Sequence, residues 1–130
     1  MAKKKESDEL DFTNSLNLYF NEKEQVSKQI KKKNFKNAKT SLSKCYGILE
    51  GIYHALDSLE NERKSLIRKI FGLGTRELNS CNNALVQINS LLVVLGEDHI
   101  DEIKLMKLLT ALNEKEQALF IILKYNKAVA

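Results

Sequence analysis

The sequence predicts an all-α protein, a four-helix antiparallel bundle whose second helix is long and heptad-patterned. Apolar residues recur at intervals of three and four in four successive segments, which is the spacing that places them on one side of a helix. The 130 residues include no proline and only five glycines. β-branched residues do not cluster into alternating runs, so strands are not expected.

Length and composition indicate one soluble globular domain spanning 1–130. The chain is 43% hydrophobic and 29% charged, a balance that allows a single buried core. No apolar run approaches the ~18 residues that a membrane-spanning helix requires. The first residues carry lysines followed by acids rather than an apolar signal segment, so 1–9 is predicted to be a flexible tail and the protein to be cytoplasmic.

The first helix is predicted over about 11–33. Its apolar side contains Phe12, Leu16, Tyr19, Phe20, Val26 and Ile30, and its polar side contains Glu22, Lys23, Lys28 and Lys31. Asn34 offers a side-chain oxygen to cap the next helix, and Phe35 is placed to pack between the two helices at the turn.

The second helix is predicted over about 35–71 and has the clearest pattern. Apolar residues alternate spacings of four and three, interrupted once by Arg63: Ala38, Leu42, Cys45, Leu49, Ile52, Leu56, Leu59, Leu66 and Ile70. Gly47 and Gly51 lie four residues apart within this helix. They indicate a neutral surface pair, a kink or the close approach of a neighbouring helix, and we favour close approach.

Glycines separate the remaining helices. Gly72-Leu73-Gly74 ends the second helix, and the third is predicted over about 75–95 with its core positions at Leu78, Cys81, Leu85, Ile88, Leu92 and Leu95. Gly96 ends it, and the acids Asp98 and Asp101 indicate the start of a fourth helix over about 98–127. The wide apolar face predicted for that helix contains Ile100, Ile103, Met106, Leu109, Leu112, Leu119, Phe120, Ile122 and Leu123.

The unequal helix lengths predict a homodimer. A second helix of about 36 residues extends over ~54 Å, whereas the third extends over ~31 Å. Helices one and three would then overlap along the second helix only around 51–56. A hairpin of two helices buries too little surface to be stable by itself, so a second copy is expected to cover it. The alternative is a kinked second helix in a compact monomer.

A lysine block marks the hairpin between the first two helices. Between Gln25 and Leu49 there is no acid, and the lysines are Lys28, Lys31, Lys32, Lys33, Lys36, Lys39 and Lys44. Such a block attracts nucleic-acid phosphates or an acidic partner. The alternative is a solvated tip, or one that faces the acids Glu97, Asp98, Asp101 and Glu102. The block lacks arginine and has few aromatics, so reading of bases is poorly supported.

Other candidate sites are weaker. Arg63, Lys64, Arg68, Lys69 and Arg76 surround an apolar turn, where complementing a helix dipole is favoured over membrane contact. Glu50, His54 and Asp57 share one helical side but do not form a recognised metal motif, so no metal or cofactor is predicted. Cys45 and Cys81 fall on core positions and are expected to be buried free thiols.

These patterns predict a non-enzymatic protein–protein interaction module, such as an adaptor, an assembly factor or a chaperone-like bundle. No activated nucleophile or paired acid and base is evident. The predicted partner interface is the low-charge side of the third helix, with Asn79, Asn82, Asn83, Val86, Asn89 and Val93. The alternative function is a nucleic-acid-binding accessory protein that uses the lysine block. The pentapeptide Asn-Glu-Lys-Glu-Gln at 21–25 and 113–117 is interpreted as a coincidence.

Overall fold

A computed structural model of the chain describes residues 12–62 and 75–123. Four α-helices form most of this part of the protein: α1 (Thr13–Lys31), α2 (Phe35–Glu62), α3 (Thr75–Leu95) and α4 (Glu102–Ile122). No strand occurs within these two ranges, so the all-α prediction is confirmed for them. The predicted end of the second helix, over 63–71, and the predicted tail lie outside the described residues.

The turn between α1 and α2 has a well-defined backbone geometry. Lys33 adopts a left-handed conformation with φ of 60°. The Lys33 amide donates to the Ile30 carbonyl at 2.9 Å, and the Asn34 amide donates to the Gln29 carbonyl at 2.8 Å. Many helices end with this pair of backbone hydrogen bonds. The Asn34 side-chain oxygen then accepts from the Asn37 amide at 3.4 Å, as the sequence predicted. This short turn makes α1 and α2 antiparallel neighbours.

The start of α4 differs from the sequence-based expectation. Residues 96–99 form a turn and bends, Asp101 is extended, and the helix begins at Glu102 rather than near 98. The Asp101 carboxylate accepts from the amides of Ile103 and Lys104, both at 3.1 Å, and so satisfies two amides that have no partner within the helix. Asp101 is therefore the acid that starts α4.

The core of α2 follows the predicted pattern where its side chains are described. All six predicted positions are buried: Ala38, Leu42, Cys45, Leu49, Ile52 and Leu56. The prediction of close approach at the glycines is wrong. The helix continues without interruption through Gly47 and Gly51, both are exposed, and a Cβ atom added at either would meet nothing within 4 Å in the described structure. They form a surface pair.

The apolar face predicted for α4 is partly wrong. Ile103 and Met106 are exposed, while Leu105, which the prediction omitted, is fully buried. The prediction took successive steps of three residues from Ile100, and each such step turns about 60° away from a straight line along a helix. The buried side instead follows alternating spacings of four and three residues through Leu105, Leu109, Leu112, Glu116 and Leu119, and the adjacent Phe120 is also buried.

The pairing between helices also differs from the length-based expectation. The Cys81 thiol on α3 donates to the Leu49 carbonyl on α2 at 3.4 Å, and Gly96 lies beside the Lys39 side chain. The end of α3 therefore lies against the beginning of α2, which is the same part of α2 that α1 covers. In addition, α4 packs against α3 and contacts α1 through side chains. The prediction of a dimer assumed that α1 and α3 cover different parts of α2. That arrangement is not observed among the described residues.

Candidate functional site

The outer side of α3 is the uncharged surface that the sequence predicted as a partner interface. From residue 78 to residue 96 the chain contains no charged residue. Each predicted interface residue is exposed: Asn79, Asn82, Asn83, Val86, Asn89 and Val93. The two valines are 57% and 61% exposed, large fractions for apolar side chains in a protein with a formed core. We call this set the α3 surface.

The inner side of α3 is held by the rest of the bundle. Cys81, Ala84, Ile88 and Leu91 are fully buried. The Gln87 side-chain amide donates to the Leu108 carbonyl at 3.2 Å and aligns α3 with α4. Since packing and this hydrogen bond fix the inner side of α3, the α3 surface lies on a rigid helix rather than on a loop.

The exposed side of α4 is a second apolar surface, and the sequence reasoning missed it. Ile103 and Ile121 are 72% and 71% exposed, and Met106 is half exposed. An open depression lies at the beginning of this side, lined by Glu102, Ile103, Met106, Lys107 and Thr110. The sequence does contain a signal for this surface: apolar residues occur on both sides of α4, whereas a helix with one buried face needs apolar residues on that face only.

The lysine block lies at one end of the bundle, and all seven of its lysines are exposed. It faces the acidic connection between α3 and α4. Lys33 and Glu102 form an exposed ion pair with 3.6 Å between Nζ and Oε2, and the Lys39 ammonium lies at the end of α3 near Gly96. The acids of this connection therefore offset part of the positive potential of the block.

A buried polar cluster joins α1 to α4. Lys23 and Glu116 are both buried, and the Lys23 ammonium donates to Glu116 Oε1 at 2.9 Å and to the Asn113 side-chain oxygen at 2.7 Å. The Tyr19 hydroxyl donates to the other oxygen of Glu116. Placing Lys23 on the polar side of the first helix was therefore wrong. Its spacing of four from Tyr19 and three to Val26 is that of a core residue and could have identified it.

The environment of the buried cluster suits structure rather than chemistry. Burial and the adjacent Glu116 carboxylate hold the pKa of Tyr19 well above its usual value of 10.0, so the hydroxyl stays protonated. Both carboxylate oxygens have a donor, and Tyr19 is fully buried. A substrate has no access to these groups in the described structure.

The two cysteines are free and buried, as predicted. Burial raises the pKa of each thiol from 9.0 to about 12. A thiol with such a pKa is almost entirely protonated at neutral pH and is a poor nucleophile. Cys45 and Cys81 therefore act as small core residues.

The described residues form neither a metal site nor a membrane span. Among the described residues, no three His, Cys, Asp or Glu side chains converge to hold a metal ion, and Glu50, His54 and Asp57 form no such group. None of the four described helices has both the length and the apolar character to cross a lipid bilayer. Of the basic residues around the second hairpin, Arg76 is exposed, and Arg63, Lys64, Arg68 and Lys69 lie outside the described residues.

Comparison with known proteins gives no relative for this chain. No family model, no curated protein and no solved structure matches it.

Proposed function

We propose that the protein is a non-enzymatic protein–protein interaction module, an adaptor, assembly factor or chaperone-like bundle, and that it binds its partner through the α3 surface. The observation that carries the proposal is the exposure of Val86 and Val93 on a helix without charges between residues 78 and 96. Helices that face only water usually carry charged residues on the outer side. The centres of protein–protein interfaces typically have few charged residues and keep apolar side chains.

The α3 surface also has the geometry of a contact with another helix or sheet. Val86 and Val93 are seven residues apart, so they lie above one another on the same side of α3. Asn79, Asn82 and Asn89 flank them with neutral donors and acceptors that can bond across an interface without the desolvation of a charge. The surface is therefore suited to a partner segment of mixed apolar and amide character.

Site-specific crosslinking in the native host tests this proposal. A photoreactive amino acid at position 86 or 93 is expected to give the same dominant protein adduct, because both positions lie in the same contact. The matched control is position 43, an exposed serine on α2. Adducts that are no stronger at 86 and 93 than at 43 would contradict the proposal. A charged substitution, Val93→Lys, should then remove the adduct formed at position 86.

Nucleic-acid binding through the lysine block is the second candidate. It is favoured by the exposure of all seven lysines, and it is weakened by the acids at the same end of the bundle. A mobility shift with DNA or RNA at low salt tests it. If binding occurs, replacing Lys31, Lys32, Lys33, Lys36 and Lys39 with glutamine should abolish the shift. The absence of a shift with the unmodified protein at low salt would end this candidate.

A homodimer and a cytoplasmic location complete the proposal. A dimer that forms by docking needs a surface other than the α1–α2 hairpin, because α3 packs against α2 and α4 contacts α1 in the described structure. Two buried thiols that form no disulfide agree with a reducing compartment such as the cytoplasm.

A further inference from the structure

Helix α1 buries less apolar surface than the other helices of the bundle. Among the described side chains, three apolar residues of α1 are buried, whereas six are buried in α2, seven in α3 and five in α4. The fourth buried side chain of α1 is Lys23, which is paired with Glu116. When α1 leaves the bundle, water solvates both charges again, and this solvation offsets part of the lost contact. Helix α1 is therefore the helix that separates from the bundle most readily.

The turn between α1 and α2 has features of a hinge. Only residues 32–34 lie between the two helices, and Lys33 has a left-handed φ of 60°, a conformation that favours glycine over lysine. The segment 29–36 contains neither glycine nor proline, and its lysines have good helix propensity. A continuous helix through 32–34 would therefore relieve the strain at Lys33. Short connections under strain favour the exchange of a helix between two copies of a chain.

The groove that α1 occupies is complementary to α1 in charge and in shape. Lys23 and Tyr19 both donate to the Glu116 carboxylate, and the Phe20 ring packs on the Phe120 ring with 4.7 Å between their centroids. If α1 leaves, a replacement has to supply a cation, a hydroxyl and an aromatic ring at these same positions. The α1 helix of a second copy supplies all three at the required spacing.

We propose that two copies of this chain exchange α1, which gives a specific route to the homodimer proposed above. In the exchanged dimer 32–34 is straight, and α1 of each copy packs against α2 and α4 of the other copy. Lys23 of one copy then pairs with Glu116 of the other. Each contact that α1 makes in the monomer is kept, so the dimer needs no additional apolar surface. The α3 surface remains available for a partner in both forms.

The short hinge determines how the two copies lie in the exchanged dimer. Because only 32–34 connects the helices, exchange brings the two lysine blocks together at the centre of the dimer. Their repulsion is weakest in about 0.5 M NaCl, where the Debye length is only ~4 Å. The full chain is therefore refolded from urea at millimolar concentration in this salt, and monomer and dimer are measured by size-exclusion chromatography with light scattering.

Two substitutions at the hinge are expected to change the dissociation constant in opposite directions. Lys33→Gly should raise it at least about 10-fold, since glycine relieves the strain of two monomer turns and weakens two straight hinges. Asn34→Ala removes the side chain that caps α2 in the monomer and should lower the constant about 5-fold. The matched control is Ser43→Gly, at an exposed position that is helical in both forms, and it should leave the constant within about 2-fold.

Isotope-filtered NOE spectra identify which copy supplies α1. The dimer is refolded from an equal mixture of isotope-labelled and unlabelled chains. It should show contacts between the ring protons of Phe20 in one copy and those of Phe120 in the other copy, because these rings pack together across the exchanged contact. The monomer fraction should show no contacts between labelled and unlabelled chains. The experiment needs no substitution, so the fold is not disturbed.

Contacts between copies at Phe20 and Phe120, together with a weaker dimer for Lys33→Gly, support the proposal. A dimer whose ring contacts remain within one chain, or whose dissociation constant is unchanged in Lys33→Gly, overturns the exchange but not the homodimer. A protein that stays monomeric after refolding at millimolar concentration overturns both. Partner binding at the α3 surface is tested separately, by crosslinking at positions 86 and 93.

Discussion

The Lys23 ammonium on α1 and the Glu116 carboxylate on α4 form a buried ion pair, 2.9 Å apart, that links the first and last helices of the bundle. Tyr19 satisfies the second oxygen of Glu116, and Asn113 accepts a further bond from Lys23. The two copies of the repeated pentapeptide meet here, because the first contributes Lys23 and the second contributes Asn113 and Glu116. A one-turn shift of α1 along α4 would leave these buried groups without partners, so the cluster specifies how the two helices align.

Removing one member of the pair should strongly destabilise the protein. The variant Lys23→Met leaves the Glu116 carboxylate buried without its cation, which costs about 3–5 kcal/mol in buried pairs of this kind. Equilibrium unfolding in urea measures the change in the free energy of unfolding. A loss under about 1 kcal/mol would show that water reaches Glu116 and that the pair is not a buried one.

The matched control replaces the three buried polar residues together and leaves the exposed Asn113 unchanged. In Tyr19→Phe/Lys23→Met/Glu116→Leu no charge or hydroxyl remains to be satisfied in the centre of the cluster, so most of the stability lost in Lys23→Met should return. This comparison separates the penalty of an unpaired carboxylate from the loss of Lys23 packing.

The sequence predicted most of the helices because amphipathic spacing and turn residues are local signals. The six core positions of α2 and the Asn34 cap are examples. It did not predict the register of α3 on α2, since the pairing of Cys81 with the Leu49 carbonyl depends on where the chain leaves α2 rather than on any local pattern. Lys23 was missed for a related reason: its burial is favourable only because Glu116 and Asn113 are brought to it by the fold.

Alanine at the two surface glycines of α2 should stabilise the protein. Gly47 and Gly51 are helical and exposed, and an added Cβ would touch nothing within 4 Å of the described structure. Alanine lowers the entropy of the unfolded chain and favours helix, so each substitution is expected to add about 0.5–1 kcal/mol to the free energy of unfolding. Thermal denaturation followed by circular dichroism measures the gain.

Gly96 provides the comparison for this prediction. A Cβ added there lies 3.1 Å from the Lys39 ammonium and close to two carbonyls of α3, so Gly96→Ala requires the lysine side chain to move. Its gain should be smaller than that of Gly47→Ala or Gly51→Ala. Equal gains in the free energy of unfolding at all three positions would mean that the contact with Lys39 does not oppose the added methyl group.

Loss of the Asp101 cap should weaken the start of α4. Asp101→Ala removes the acceptor of two amide bonds and should lower the free energy of unfolding by about 1 kcal/mol. Asp101→Asn retains a side-chain acceptor and should lose only a fraction of that. Amide hydrogen exchange locates the effect, because the amides of Ile103 and Lys104 should exchange faster in the alanine variant than in the asparagine variant.

The α3 surface and the exposed side of α4 show which functional features a single sequence can reveal. The absence of charge from residue 78 to residue 96 is visible without a structure, and the exposure of Val86 agrees with its predicted outward position. The outward direction of Ile103 is not visible in the same way, because isoleucine on a helix is a core residue by default. Its exposure follows from Leu105 and Leu109 occupying the core.

Stability should fall as the pH rises above about 9, and the two thiols should account for much of the slope. Burial raises the pKa of Cys45 and of Cys81 from 9.0 to about 12, so the unfolded chain releases these protons at a lower pH than the folded protein does. Their contribution is complete below pH 9 and is lost as the pH rises from 9 towards 12, by about 1 kcal/mol per thiol between pH 9 and 10. Tyr19 adds to the slope in the same direction above pH 10.

Urea unfolding at several pH values measures this effect in the unmodified protein and in the variant Cys45→Ala/Cys81→Ala. The variant should be less stable at pH 8, but its stability should fall less steeply as the pH rises. Parallel slopes for the two proteins would assign the alkaline loss to other groups.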